Sequence, residues 1–421
     1  MNILIKSAEI LDPGSDFFKK TKNILIENGQ IKKISDTNHK ADLVIEGDNL
    51  KVSIGWFDMR TSIKDPGFEH KEDINSAGLA ASAGGFTEIA CLSNTKPVIQ
   101  TKDVISYIKA KAQSTLLDIH PIAAVTIDNK GEEMTEMMDL HYSGAVAFSD
   151  AEKPVWHPDV LLKALQYIQT FNGLLINRPE EKKLTIGGQM NEGKVSTQLG
   201  LKGIPKLAEE LMIERDIKIL EYAGGRIHFA LVSSPKSLEM IREAKKKGLQ
   251  VTCDISAHHL TLDETLLTDF DTYLKVSPPL RSKDDIVLFW KAIADDTIDA
   301  IVSDHNPQDE ECKNLEFDLA DFGIIGLETA FAAINTGNKK IKLEKIIEKI
   351  TSSPRKILNT PMPVIEEGAS ANLTVFDPEI EWVFSPKDIK SKSKNSPYLG
   401  KKFKGRVVAV FNNNKHHINN I

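Results

Sequence analysis

Polar and charged residues gather at the ends of a series of short apolar runs, and their types limit the chemistry this chain can attempt. In order they are Asp58-Met59-Arg60-Thr61-Ser62, Asn94-Thr95, Phe148-Ser149-Asp150 and Asn177-Arg178. Leu231-Val232-Ser233, His258-His259, residues 275–281 (KVSPPLR) and Ser303-Asp304-His305 follow. Two carboxylates, Asp150 and Asp304, with a histidine beside them would hold one hard cation weakly. Zinc asks for imidazole or thiolate donors and an open position for a water whose pKa falls to about 7. Carboxylates interleaved with arginines do not make that set. Arg60, Arg178 and Arg281 suit a small anion instead, because a guanidinium is always charged and offers a planar fork of donors.

The apolar runs that carry these residues lie at 87–92, 119–125, 144–148, 174–177, 227–232, 250–255 and 300–303, and each reads as a short strand. Helix-like segments at 101–113, 157–171, 202–222, 234–248 and 283–295 separate them. A further strand within 52–58 brings the count to about eight β/α units, the count of a closed parallel barrel. In such a barrel the chemistry sits where strands end and loops begin, which is where the polar residues fall. A doubly wound open sheet is the alternative, but no glycine-rich phosphate loop follows the first strand. The two ends differ from the middle. Residues 2–9 and 23–33 read as strands, with turns at Asp12-Pro13-Gly14 and Asn28-Gly29, and 371–376 and 406–411 read the same way. The expected fold is therefore α/β: a (β/α)8 TIM barrel over 53–360, with a small β-sandwich domain built from 1–52 plus 361–421. The apolar N-terminal strands need a partner surface, and the C-terminal strands supply it.

Several motifs then make a resemblance specific. Residues 55–67 (GWFDMRTSIKDPG) resemble the opening signature of the dihydroorotases, members of the cyclic amidohydrolases, in which two histidines follow the aspartate. Residues 80–97 (AASAGGFTEIACLSNTKP) resemble that family's Gly-Gly-Phe-Thr run leading to Pro-Asn-Thr-x-Pro. Residues 144–150 (GAVAFSD) are similar to the fourth-strand motif of the type that uses aspartate in place of a carboxylated lysine. Residues 257–260, 275–281, 303–307, 323–329 (GIIGLET) and 391–400 (SKSKNSPYLG) follow in family order, so the likeness spans nearly the whole chain.

The resemblance also implies where the family's site should lie and where this chain departs from it. Active members hold zinc. Their two signature histidines fall on Arg60 and Ser62, a third on Arg178 and a fourth on Leu231, while His228 survives. Of the ligand positions only Asp150 and Asp304 remain, so the metal positions are vestigial and no cofactor is expected. Asp304 stands at the family's general acid/base position, which needs the metal to act. The substrate-binding positions fall on Lys64, Asn94, Ser277, Arg281 and Gln308; Lys64 lacks the bidentate fork of the family's arginine. Asn94 and Arg281 match the family.

The remaining histidines have ordinary readings. His258 and His259 are expected to support the barrel rim, His228 to be buried on a backbone hydrogen bond, and His305 to orient Asp304 or pack. His416 and His417 should meet solvent. Cys91, Cys253 and Cys312 share no metal-binding spacing and form no disulfide framework. They fit a reducing cytoplasm, as does a start without a cleavable signal pattern. No apolar run approaches membrane-spanning length. A formal charge of −7 argues against a nucleic-acid surface.

Three functional readings stay open. A non-catalytic dihydroorotase homologue of pyrimidine biosynthesis would act as a structural or assembly partner. Its resemblance implies aspartate carbamoyltransferase as that partner, and a homo-oligomer. A cyclic amide hydrolase with a rebuilt or single-metal centre is the second. A metal-free small-anion binder using Arg60, Arg178 and Arg281 is the third. Whichever holds, two carboxylates stranded in a barrel mouth need balancing charge. Arg60 and Arg178 are expected to provide it, each bonding Asp150 or Asp304.

Overall fold

The chain changes sheets at Gly55. A computed structural model describes residues 1–419, and in it a Cβ at position 55 would lie 2.0 Å from both Thr87 Oγ1 and Asn372 Oδ1. No side chain fits where the backbone crosses from one layer to the next. Before the crossover come β1 (Asn2–Ile10), β2 (Thr21–Glu27), β3 (Gln30–Ser35), β4 (Leu43–Ile45) and β5 (Lys51–Ile54). After it the barrel begins with β6 (Trp56–Thr61), β7 (Phe86–Cys91), β8 (Asp118–Ala123), β9 (Ala147–Phe148) and β10 (Leu175–Asn177). A short parallel pair, β11 (Met190–Asn191) and β12 (Gly203–Ile204), interrupts it. The barrel resumes with β13 (Ile227–Phe229), β14 (Val251–Ser256) and β15 (Ala300–Val302). The strand expected within 52–58 is thus two strands, because two apolar segments abut with only a glycine between them.

The eight barrel strands pair in parallel in the order β6-β7-β8-β9-β10-β13-β14-β15. The seam between first and last closes just past their ends, where Thr61 bridges His305 in parallel and the Ser62 N–H donates to the His305 carbonyl at 2.8 Å. Asp58 reinforces it by accepting the Ser303 N–H and Oγ–H, each at 2.7 Å. Helices lie between the strands as the pattern predicts, including Lys102–Ala112, Pro158–Ile168, Lys206–Ala223, Pro235–Lys246 and Lys283–Ala294. Ser282 caps the last of these in a reciprocal box with Asp285, satisfying two of the N–H groups a helix start leaves free.

Inside the barrel Phe57, Met59, Ile122, Ile176, Leu231 and Val302 form one apolar cluster. The helix Ser352–Leu358 closes its lower end with Ile357 and Leu358. There the fully buried Arg355 meets Glu88, which also accepts from His120 and Asn372.

After the barrel, β16 (Leu373–Val383), β17 (Lys402–Asn412) and β18 (Lys415–Ile418) return to the N-terminal strands. β5 pairs with β16 on one side and β1 on the other, giving a path β18-β17-β16-β5-β1-β2-β3 with β4 beside β1. Ile3, Ile5, Ile24 and Val52 from one terminus share a core with Leu373, Val375, Ala409 and Phe411 from the other. The two ends form one extra β-unit, as expected from their apolar alternation. No helix among the described residues is long and apolar enough to cross a membrane.

Candidate functional site

The mouth of the barrel is built from the residues that directly follow its strands. Four of these, Lys64 (φ 59°), Ala151 (φ 58°), Leu231 (φ 57°) and Asp304 (φ 48°), hold left-handed backbone. That conformation costs roughly 1–2 kcal/mol per L-residue and concentrates where a site must aim its side chains.

Asp304 is the centre. Its side chain is 14% exposed, and Arg60, itself 2% exposed, donates from Nε to Oδ1 at 3.0 Å. His258 Nε2 lies 4.0 Å from the other oxygen. Burial raises the carboxyl to about 7, against the opposing charge of Arg60, with Glu152 adding to the rise and Arg178 opposing it. His258 is held well below the ordinary histidine range by burial, so it faces Asp304 as neutral imidazole. The expected pairing of Arg60 with Asp304 is therefore present.

The pairing expected of Arg178 is not. Its Nη2 donates to Ser277 Oγ at 2.6 Å and meets Glu180 at 2.9 Å, and its Nη1 donates to the Glu152 carbonyl at 2.8 Å. A carboxylate two residues along the same loop is simply nearer than either strand-end aspartate. Asp150 is likewise not bonded to an arginine. Its Oδ1 accepts the Val125 and Thr126 N–H groups at 3.0 and 2.9 Å, and its Oδ2 accepts Thr126 Oγ1 at 2.5 Å. Burial still lifts its carboxyl to about 6 against those bonds.

The other positions separate into two groups. Lys64, 7% exposed, donates to Asn306 Oδ1 at 2.7 Å, and Asn94 donates to Ser62 Oγ at 2.9 Å, so these residues line the mouth. Arg281 does not. It is fully buried and braces a neighbouring loop through Asn191 Oδ1 at 2.7 Å and Ser233 Oγ at 3.1 Å. Gln308 donates to the Phe322 carbonyl and accepts from Lys71, which places it in the loop over the mouth. Leu231 packs in the apolar interior. His228 is buried as expected but bonds side chains, Thr252 and Asp254, rather than backbone. His305 turns from Asp304 to Glu72 and accepts the Gly326 N–H. His259 bonds Ser256 and the Pro279 carbonyl, a rim support.

Two residues of the mouth, Asn306 and Glu152, were not among the expected site positions, although Asn306 lies within the 303–307 motif. Asn306 donates to Glu152 Oε1 at 2.7 Å, and the Asn94 amide lies 3.5 Å from the same oxygen. Each follows a strand-end aspartate by two residues, Asn306 after Asp304 and Glu152 after Asp150, and that spacing points to both. Several buried polar atoms here have no partner: Arg60 Nη1, Arg178 Nε, Asn94 Oδ1 and both ring nitrogens of His258. Among the described residues no group of three or more His, Cys, Asp or Glu side chains is placed to hold a metal.

Comparison with known proteins gives the arrangement a context. The Dihydro-orotase-like family pattern matches residues 51–237, and the Amidohydrolase family pattern matches 191–415. The chain is 40% identical over 414 residues to a dihydroorotase of Syntrophus aciditrophicus, covering 97% of each protein. It is 40% identical over 410 residues to a dihydroorotase of Pelotomaculum thermopropionicum, covering 96% of each. Among solved structures it superposes on an L-hydantoinase (dihydropyrimidinase) from Arthrobacter aurescens with TM-score 0.85 and 21% identity, covering 98% of this chain and 95% of that one. A dihydropyrimidinase from Brevibacillus agri gives TM-score 0.83 at 20% identity, covering 100% and 95%. Likeness at that identity speaks for the fold, a (β/α)8 barrel with an added β-unit from the termini.

Proposed function

The chain belongs to the dihydroorotase-like family, and from that membership we propose that it is a non-catalytic member that serves pyrimidine biosynthesis as a structural or assembly partner. The reading is carried by the Arg60–Asp304 bond. A permanent cation sits where the family resemblance places a histidine ligand. Zinc-bound hydroxide needs imidazole donors and an unobstructed position, and a guanidinium offers neither. The residues present do not fit zinc: Arg60, Ser62, Arg178 and Leu231 stand at the four histidine positions, and both oxygens of Asp150 are engaged by Val125 and Thr126. The same engagement disfavours a rebuilt single-metal centre on Asp150 and Asp304. Without the metal, Asp304 has no activated water from which to take a proton, so its general acid/base position is vestigial.

The assembly role extends the reading to a self-associating barrel in the cytoplasm with aspartate carbamoyltransferase as its partner. The resemblance to the family is what supports this role.

The test is metal analysis together with turnover of dihydroorotate and carbamoyl aspartate, before and after zinc is supplied. Background rates in both directions are expected. Stoichiometric zinc with turnover that disappears in Asp304→Ala would overturn the proposal. Co-purification with the transcarbamoylase tests the assembly role, and a strictly monomeric protein that ignores it would count against that role.

A further inference from the structure

We propose that a recess at the underside of the barrel, at the opposite end from the mouth, binds a small phosphate monoester through Arg226, Lys356 and Ser353. The proposal does not depend on the reading of the mouth.

The recess opens where three neighbouring strands begin, at Leu174 before β10, Arg226 before β13 and Gln250 before β14. The helix Ser352–Leu358, which closes this end of the barrel, contributes Ser353 and Lys356. The volume is about 340 Å³, within the range of roughly 300–1,000 Å³ common for small-molecule sites. Arg226 ties the strand starts to the helix. Its Nη1 donates to the Asn172 carbonyl at 3.2 Å, and its Nη2 donates at 2.7 Å to the carbonyl of Ile357, the residue after Lys356. A guanidinium has five N–H donors, so these two bonds leave others for a ligand.

What sets Arg226 apart is a missing counter-charge. Burial lowers its guanidinium, and no carboxylate pulls it back up. Burial also lowers Arg281 and Arg355, but there Glu209 and Glu88 oppose the drop. The recess does contain carboxylates, yet each has its own lysine. Asp296 binds Lys345 and Lys349, Asp299 binds Lys245 at 2.7 Å, and Glu348 meets Lys345 at 3.6 Å. Lys356 is exposed and has no ion-pair partner among the described residues, and Ser353 Oγ has no hydrogen bond among them. Two cations in one recess are thus left without an anion.

Charge and donor count select the ligand. Above its second pKa of about 6 a phosphate monoester carries close to two negative charges, with three terminal oxygens. Those oxygens suit a guanidinium edge, an ammonium and a hydroxyl together. A single carboxylate would balance one cation and offer two oxygens. The ester is favoured over the free ion because Leu174, Leu249 and Ile357 line the same recess. An organic group can cover these apolar side chains, and inorganic phosphate cannot.

The experiment is calorimetric titration of the full-length protein at about pH 8 with glycerol 1-phosphate and, separately, with inorganic phosphate. Wild type is compared with Lys356→Glu, Arg226→Met and Lys102→Glu, the last an exposed lysine outside the recess. Wild type should bind the ester more tightly than the free ion. Lys356→Glu should weaken ester binding at least about tenfold, as loss of a charge-assisted bond implies, and Lys102→Glu should leave it unchanged. Arg226→Met should remove binding, with circular dichroism confirming the fold; Lys356 is exposed, so its variant keeps the test readable if Arg226→Met does not fold. The arginines of the mouth are intact in every variant, so an ester bound there would ignore both substitutions. No binding by wild type, an affinity unchanged in Lys356→Glu, an equal loss in Lys102→Glu, or inorganic phosphate bound as tightly as the ester would overturn the proposal.

Discussion

Replacing Arg60 with alanine removes the cation bonded to Asp304, and the cost can be worked out from the site as a function of pH. Asp304 faces Arg60, Arg178, Glu152 and His258, and its folded-state carboxyl titrates at about 7, above the unfolded value of about 3.9. A carboxyl raised on folding favours the native state most below its unfolded pKa, and that stability is lost as pH rises toward 7. In Arg60→Ala the opposing charge is gone, so the carboxyl rises further and the loss continues past 7 at about 1.36 kcal/mol per pH unit. At about pH 5.5 Asp304 is protonated in both proteins, and only one hydrogen bond and the packing of Arg60 are lost, about 1–2 kcal/mol. At about pH 8.5, one and a half units above the wild-type titration, roughly 2 kcal/mol is added, for a total of about 3–4 kcal/mol. That agrees with the roughly 3–5 kcal/mol cost of breaking a buried ion pair on one side. Urea unfolding of both proteins at the two pH values reads the difference directly. An Asp304→Asn background should make it independent of pH. A gap that stays flat from pH 5.5 to 8.5 in the Asp304 protein would refute the argument.

Two further outcomes are expected away from the mouth. Glu88 is held down to about 2 when burial alone would raise it, by the His120 hydrogen bond and the Arg355 charge. Its contribution is present above the unfolded value near 4.3 and is lost as pH falls toward 2, about 3 kcal/mol in all. Glu88→Gln should therefore flatten the acid limb of a stability-versus-pH curve, and an unchanged limb would contradict this. Lys275 donates to the Phe317, Asp318 and Ala320 carbonyls at 2.6, 3.2 and 2.6 Å. Lys275→Met leaves these carbonyls unmet, at about 1–3 kcal/mol for each that water cannot reach. Amide exchange in residues 314–323 should quicken well beyond the rest of the chain; uniform exchange would show that the loop does not depend on the ammonium.

The barrel was legible because each short apolar run ends in a polar pair, a pattern set by strand burial below and loop solvation above. β5 and β6 fused into one expected strand because both are apolar and only the clash at Gly55 separates them, which no periodicity reveals. In the mouth, opposite charges at Arg60 and Asp304 pointed correctly to a pair. The same logic failed for Arg178, since Glu180 and Ser277 were closer partners, and for Asp150, whose donors come from the end of a neighbouring strand at Val125 and Thr126. Charge counting finds that a cation is needed; it does not say which of several carboxylates captures it. Arg281 shows the same limit, a family position whose donors are spent on Ser233 and Asn191. Glu152 escaped notice because an exposed glutamate on a turn looks like solvated surface until Asn306 is seen beneath it.

The β-unit shared by both termini sets a timetable for the newborn chain. β5 must wait for β16, with Ile54 opposite Leu373, and about 320 residues emerge between them. At a synthesis rate of about 5–20 residues per second, roughly 16–64 s pass with Ile3, Ile5, Ile24 and Val52 lacking their C-terminal half-core. The barrel strands can assemble meanwhile, but the first fifty residues remain a sticky overhang on the ribosome until the last strands clear the exit. Expression yield should therefore depend on holdase chaperones more than the stability of the finished fold would suggest. For the same reason, a stalled or truncated transcript would leave a hazard rather than a smaller working protein.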